Sequence, residues 1–443
     1  MITQAKEYWN RLSNFRKNRN RCRDYTFGRQ WNDPIEVDGI RMSEYEYILR
    51  EGNVPLQNNL IRRIVRNVLG LFRERLPEIM KQEYGEELDT MAAENSLDEI
   101  FCRTMEEFLI SGMAVHRKSI GVRNGRSGIW TDSVSPGSFF FNTDSRDIRG
   151  WDLNMVGQVH RVSFDEWCRA FVKTPADFER AARLFGNGEK KHTIMEVWTR
   201  LPLGLYVAHD TQRGYIRKMR EEEWKSCGKP KPGKWILEEK WRFYFLTEQG
   251  DVIMEGDSPY IHGGHPFVIK CYPFLDGEIH SFVGDLIDQQ RYTNRLITLY
   301  DWVIRASAKG VLLLPEGAVE PENLRDMANQ WSRFNGVIVY KPDLTRPEPK
   351  QITGNNNNIG ISELLEIQLK MMEDVSGVNG ILQGNTSGGN VSGELYSRQT
   401  TNAMYSLSDL LESFRSFIHD CATKDQSLMT QNKGIGNHAE SKK

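Results

Sequence analysis

The chain has 443 residues, 39% hydrophobic and 27% charged, with 58 Lys+Arg against 60 Asp+Glu and a net charge of -2. That is enough sequence for a sizeable core and two or three domains, and it excludes a disordered chain or a polybasic nucleic-acid coat. It also argues against tight static binding to duplex DNA, whose affinity comes largely from neutralised phosphates.

The first 80 residues carry 15 Lys+Arg against 10 Asp+Glu, a net of +5 that leaves -7 for the remainder. Arg11, Arg16, Lys17, Arg19, Arg21 and Arg23 cluster beside Tyr8, Trp9 and Phe15. Such a run reads either as a patch facing nucleic acid or an acidic partner, or as a solvated helix face, the commoner case. Ile61, Ile64, Val65, Val68, Leu69 and Phe72 form an apolar stripe opposite Arg62, Arg63 and Arg66, which predicts a core helix stopping before Pro77. A second helix is predicted over 91–110.

Met113–Val122 then reads as a strand, and Asn124-Gly125 is a two-residue hairpin signal leading into Ile129–Val134. Val159–Val162 reads as a strand, followed by Ser163 and Glu166 in capping-box spacing and a helix through Phe171. Met195–Ala208 and Trp235–Met254 add antiparallel strands, the latter turning near Gln249-Gly250, and His262–His265 closes the body as a turn. From Phe282 to Ala308 the pattern is helical, with Leu286, Ile287, Leu296, Leu299, Tyr300, Val303 and Ile304 apolar around much of the circumference, so that helix must be packed on several sides.

Val311–Leu314 and Val337–Tyr340 are β-rich runs, and Arg346 to Asn358 reads as an irregular connection. Ile361, Leu364, Leu365, Leu369 and Met372 restore a helical stripe, with Ile367 and Met371 lying off it toward a neighbouring subunit. Gly377–Gly393 holds six glycines and no charge. Beyond it Ala403, Met404, Leu407, Leu410, Leu411, Phe414, Phe417 and Ile418 mark an amphipathic helix from about Ser392 to Thr423, after which a polar tail frays.

Catalytic motifs are missing. Gly228–Lys234 matches the start of a phosphate-binding G-x-x-x-x-G-K loop, but Trp235 replaces the magnesium-binding hydroxyl, two prolines remove amide donors and no apolar strand precedes it; a turn is the better reading. Asp144, Asp147 and Asp152, or His262 with His265, fall short of any complete metal-ligand set, so a solvated turn and satisfied surface histidines are expected. The six scattered cysteines lack a C-x-x-C pair and read as reduced thiols of a protein assembled in a cytoplasm, and no long apolar run or signal-peptide core predicts a membrane contact. Neither an enzyme nor a cofactor or metal is indicated.

Two blocks carry a resemblance. Val375-Ser-Gly-Val-Asn379, the glycine-rich loop and Ser392-Gly-Glu-Leu395 resemble the loop-plus-helix region of tailed-bacteriophage portal proteins. Gly284-Asp-Leu-Ile-Asp-Gln-Gln-Arg-Tyr-Thr-Asn-Arg-Leu296 is similar to the segment opening the portal stem helix, in the family's order, with weaker similarity over 56–142.

The resemblance implies an α+β portal-like fold: a wing over 1–281, stem helices over 282–308 and 359–376, a small α/β clip over 309–358, a tunnel loop over 377–393 and a long wing helix over 394–423. The tail over 424–443 leaves a crown reduced or absent. It further implies a homododecameric ring at one capsid vertex of the virion, assembled in the host cytoplasm, through which double-stranded DNA is packaged and ejected. Terminase large subunit, major capsid protein and a tail adaptor or connector protein are the implied partners. Asn379, Gln383, Asn385, Thr386, Ser387 and Asn390 would face the DNA, and Leu296, Leu299, Tyr300, Val303, Ile367 and Met371 the neighbouring subunits. The competing readings are a nucleic-acid-modifying enzyme of unrecognised family, with the basic N-terminal segment on DNA, and another ring-forming tail or baseplate protein.

Overall fold

Helices α1 (Ile2–Arg11) and α2 (Ser13–Thr26) open the computed structural model. It describes residues 1–440 except 124, 187–190, 211–214, 232, 273, 276, 310, 314–322, 324, 328–349, 353–359 and 379–404. Strands β1 (Pro34–Val37) and β2 (Ile40–Ser43) lead into α3 (Glu44–Arg50), then α4 (Leu60–Glu94) and α5 (Leu97–Ser111). Next come β3 (Met113–Arg123), β4 (Arg126–Ser133), β5 (Phe139–Phe141), β6 (Met155–Val162), α6 (Phe164–Phe171), α7 (Pro175–Phe185), β7 (His192–Asp210) and β8 (Tyr215–Met219). Then follow α8 (Glu221–Ser226), β9 (Lys234–Thr247), β10 (Val252–Asp257), β11 (Phe267–Cys271), β12 (Phe274–Leu275) and β13 (Glu278–Ile279). The last are α9 (Ile287–Lys309), β14 (Val311–Leu313), β15 (Lys350–Ile352), α10 (Ile361–Ser376) and α11 (Ser408–Glu440).

The chain divides into two compact units, the first comprising 1–28, 60–287 and 375–443. Its larger sheet runs β10-β9-β7-β6-β5 with β8 beside β7, and its smaller one β11-β3-β4; every pairing is antiparallel. Arg123 pairs with Arg126, the register expected for the β3–β4 hairpin, and Gly125 has φ +77°, a region that favours glycine. Ser163 and Glu166 form the predicted capping box and start α6. β6 and β7 are buried on both faces there, Val156 and Trp198 on one and Val197 on the other, in a core shared with Phe139, Phe140 and Phe267.

The second unit comprises 29–59 with 288–374, so residues 29–59 group with the later helices and not with the rest of 1–281. Polar chemistry explains it. Gln290 and Asn294 on α9 are buried; Asn294 donates to Gln30, Gln290 donates to the Asn58 carbonyl and to Asn294, and Leu56 N donates to Thr298 Oγ1. Buried Glu44 accepts from Arg291 and Arg295, anchoring α3 to the same helix. No periodicity rule detects such side-chain pairing at separations above 200 residues. In this unit β14 pairs antiparallel with β15, inside the stretch read as an irregular connection, while Val337–Tyr340 lies outside the described residues.

Two helix ends also differ from expectation. Pro77 lies inside α4, and the non-helical residue is Gly85 (φ 57°, ψ -170°); Phe72 and Leu76 before the proline and Tyr84 and Leu88 after it are all buried, and that packing outweighs the roughly 3 kcal/mol of one lost helical hydrogen bond. At the other end α11 continues through Glu440 instead of fraying after Thr423.

Two polar residues just past Thr423 are tied into the body: Asp425 is buried and Lys424 half-buried. Asp425 Oδ2 accepts from Lys118 Nζ on β3 (2.5 Å) and from the Tyr84 hydroxyl on α4 (3.0 Å), and Lys118 Nζ also donates to Thr131 Oγ1 on β4 (2.9 Å). Lys424 Nζ donates to the carbonyls of His265 (2.7 Å) and Phe267 (2.6 Å). Above this cluster Phe414 and Phe417 of α11 pack on Phe72, Phe101 and Phe108. Burial raises the Asp425 carboxyl against the pull of Lys118, raises the Tyr84 hydroxyl, and lowers the Lys424 ammonium to about 8.

Removing one partner strands the other charge. Asp425→Ala should therefore lower unfolding stability by about 3–5 kcal/mol in denaturant melts, whereas Lys118→Met with Asp425→Leu should recover most of it. Equal loss in the single and double variants would show that the pair does not act as a unit.

Candidate assembly and channel surfaces

α9 and α10 present apolar side chains to solvent. Within the second unit Leu299 is 44% exposed, Trp302 51% and Ile304 50% on α9, and Ile367 48% and Met371 44% on α10. Tyr300 is exposed as well, and Val303 is half-buried. Leu296 departs from the predicted interface set: it is buried, so it belongs to the chain's own core.

Trp302, Leu364 and Leu369 are exposed members of these helices outside the predicted interface set: Leu364 and Leu369 lie on the helical stripe predicted to pack, and Trp302 follows Leu299 at helical spacing. Beside Leu299 and Trp302, a groove of ≈ 460 Å³ is walled by Trp31, Tyr47 and Ile48. Contiguous apolar surface of this kind marks a protein–protein contact.

The six residues predicted to face DNA, Asn379, Gln383, Asn385, Thr386, Ser387 and Asn390, lie outside the described residues. The described residues on either side of 379–404 meet in the first unit. Ser406 Oγ donates to the Gly377 carbonyl (3.0 Å), Val378 N donates to Ser376 Oγ (3.1 Å), and Ser376 and Val378 are buried. Gly377 has φ +66°, and a Cβ there would stand 2.5 Å from Ser406 Oγ, so this junction needs glycine on two counts.

The other candidates resolve into structural roles. Arg19 is buried and forks onto Glu107 (2.6 and 2.9 Å), Arg16 stacks on Trp9 at 3.6 Å, and Arg11 pairs with Glu7 and Asp144. The basic N-terminal run is thus partly a set of internal ties and not wholly a solvated face. Asp152 accepts from Ser145 Oγ (2.7 Å) and the amides of Arg146 and Asp147, while Asp147 pairs with Arg149.

His262 stacks on Tyr260 and its Nδ1 accepts from the Gly264 amide (3.0 Å). Burial lowers His262 to about 4 and His265, which packs edge-on against Trp241, well below the ordinary imidazole value; both are neutral packing elements, not surface histidines. Lys234 opens strand β9, whereas the lysine of a phosphate-binding loop opens a helix, so Gly228–Lys234 is not a nucleotide site.

The family model described as Phage P22-like portal protein matches residues 3–431. The chain belongs to the P22-like phage portal protein family, a structural component of the capsid vertex concerned with genome packaging. No curated protein matches the chain. Among the described residues, no helix is long and apolar enough to cross a membrane.

Gly377→Val should cost about 1–3 kcal/mol of stability, because the side chain meets both a left-handed backbone and the Ser406 hydroxyl. Adding Ser406→Gly should restore only the steric part in thermal melts. An unchanged melting temperature for Gly377→Val would contradict this account of the junction.

Proposed function

We propose that the chain assembles into a closed homododecameric ring at one capsid vertex and forms the channel through which double-stranded DNA enters and leaves. The observation that carries this reading is the pair of helices with solvent-facing apolar stripes in a chain of portal family membership. A cyclic ring joins two different surfaces of the same subunit, and the two helices differ in the required way. α9 holds Arg291, Arg295, Arg305 and Lys309 against Asp288 and Asp301, a net of +2. α10 holds Lys370 against Glu363, Glu366, Glu373 and Asp374, a net of -3. Since Glu44 already engages Arg291 and Arg295 within the unit, it is the apolar stripes, with the acidic flank of α10, that favour packing α9 of one copy beside α10 of the next.

In this reading 282–308 and 359–376 are the stem, 309–358 the clip that receives the terminase large subunit and later the tail adaptor, and the outer body meets the major capsid protein. The ring hydrolyses nothing itself. The loop over 377–393 lines the channel, and its neutral amides and hydroxyls exchange weak contacts with passing phosphates without gripping them.

Mass measurement should give a ring of roughly 600 kDa from 51.3 kDa chains. Leu299→Asp and Ile367→Asp should leave a monomer that keeps its circular dichroism, since both side chains are exposed in the single chain. Rings formed normally by both variants would remove these helices from the interface.

A lysine at Gln383 or Asn385 repeats around the ring as a belt of positive charge. Those variants should assemble, then package DNA poorly at low salt and recover as salt rises. Unchanged packaging yield at every salt concentration would place the loop away from the DNA path.

A further inference from the structure

The loop that imitates a nucleotide site has a different use. Between α8 and β9, in the first unit, Lys229, Lys231 and Lys234 fall within six residues, all three side chains are exposed, and among the described residues no ion pair engages them. Nearby cations contrast with them: Lys225 is tied to Glu221, Lys218 to Glu238 and Arg217 to Glu223.

The loop that carries the three is held in shape. Lys229 N donates to the Trp224 carbonyl (3.0 Å), the Trp224 indole donates to the Pro230 carbonyl (2.9 Å), and His209 N on β7 donates to the Lys231 carbonyl (2.9 Å). Trp224 itself stacks flat on Tyr206 of β7 at 4.2 Å. Gly228, Lys229 and Gly233 all take positive φ, which folds the loop tightly and turns its cations outward.

Immediately after the loop comes Trp235, 55% exposed, its indole lying across Gly204 of the neighbouring strand, where a Cβ would approach Nε1 to 2.8 Å. Gly204 therefore makes room for the ring to lie flat on the sheet. Leu237, two residues on and on the same face, is 61% exposed.

A rigid edge of three uncompensated cations beside a flat exposed indole is the arrangement that tracks a nucleic-acid backbone while offering a stacking platform. We infer that the Lys229–Trp235 edge is a contact site for the phosphodiester backbone of DNA, with the three lysines on phosphates and Trp235 against sugar or an exposed base. The choice of DNA over an acidic protein rests on the portal reading; the charge and the platform do not. Three contacts make it a weak, salt-labile site, which suits a polymer that must move.

The test uses full-length protein, whose ring or monomer state is measured first, so that failure of assembly and failure of this site are read separately. Binding of labelled duplex and single-stranded oligonucleotides of about 12 nucleotides is followed by fluorescence anisotropy from about 50 to about 200 mM salt. Three phosphate contacts predict that Lys229→Gln, Lys231→Gln and Lys234→Gln together reduce the slope of log affinity against log salt by about 2.7 for duplex and about 2.1 for a single strand. The fourfold salt change should then cost the wild type about 40-fold more duplex affinity than the triple variant.

Trp235→Ala should weaken the single strand about tenfold and leave the salt slope alone. A control triple, Lys81→Gln, Lys173→Gln and Lys191→Gln, removes the same charge from other exposed positions and should bind as the wild type does. The inference is overturned by a wild type that binds neither oligonucleotide, by a loop triple that keeps the wild-type slope, or by a control triple that loses as much. Polyglutamate binding as tightly as DNA, with Trp235→Ala indifferent to both, would instead assign the edge to an acidic protein and overturn it as well.

Discussion

The fold of the first unit depends on one buried charge pair. Asp425 arrives on the last helix, Lys118 on a strand 307 residues earlier in the chain, and neither is reached by solvent. Such a pair adds little net stability, since desolvating both ions offsets most of their attraction, but it discriminates strongly against arrangements in which either is left alone. With Tyr84 and Thr131 completing the set, the cluster joins α4, β3, β4 and α11 in one register. Because α11 is fixed there, the chain returns to Gly377 at Ser406.

The second unit solves a different problem. Its helices bury amides and carboxylates inward, through Gln290, Asn294 and the Glu44–Arg295 pair, and turn leucine, isoleucine, methionine and tryptophan outward. In a monomer that inversion is unfavourable, because apolar area stays in water at about 25 cal/mol per Å². In the proposed ring a neighbouring subunit would cover the stripe and offset that cost.

Charge follows the same division of labour. Part of the N-terminal arginine charge is neutralised by pairing within the chain, Arg19 by Glu107 and Arg11 by Glu7 and Asp144, so the number of arginines in the sequence overstates the positive surface. The lysines of the α8–β9 loop are fewer and escape such pairing. Where cations lie matters more than how many there are, and a net charge of -2 hides both cases.

What the sequence determined by itself is what short-range physics decides. The Asn124-Gly125 hairpin, the Ser163–Glu166 capping box and the helix over 361–376 depend on hydrogen bonds and side-chain spacing within a few residues, and all were legible. Order and spacing of the two blocks at 284–296 and 375–395 carried the family. Tertiary structure alone decided the rest. Residues 29–59 join the later helices through amide and carboxylate pairs more than 200 positions apart, α4 runs past Pro77 because both flanks are buried, and α11 runs past Thr423 because Lys424 and Asp425 find distant partners. A polar residue reads as solvent-facing until its counter-charge is known, and that counter-charge is set by the fold.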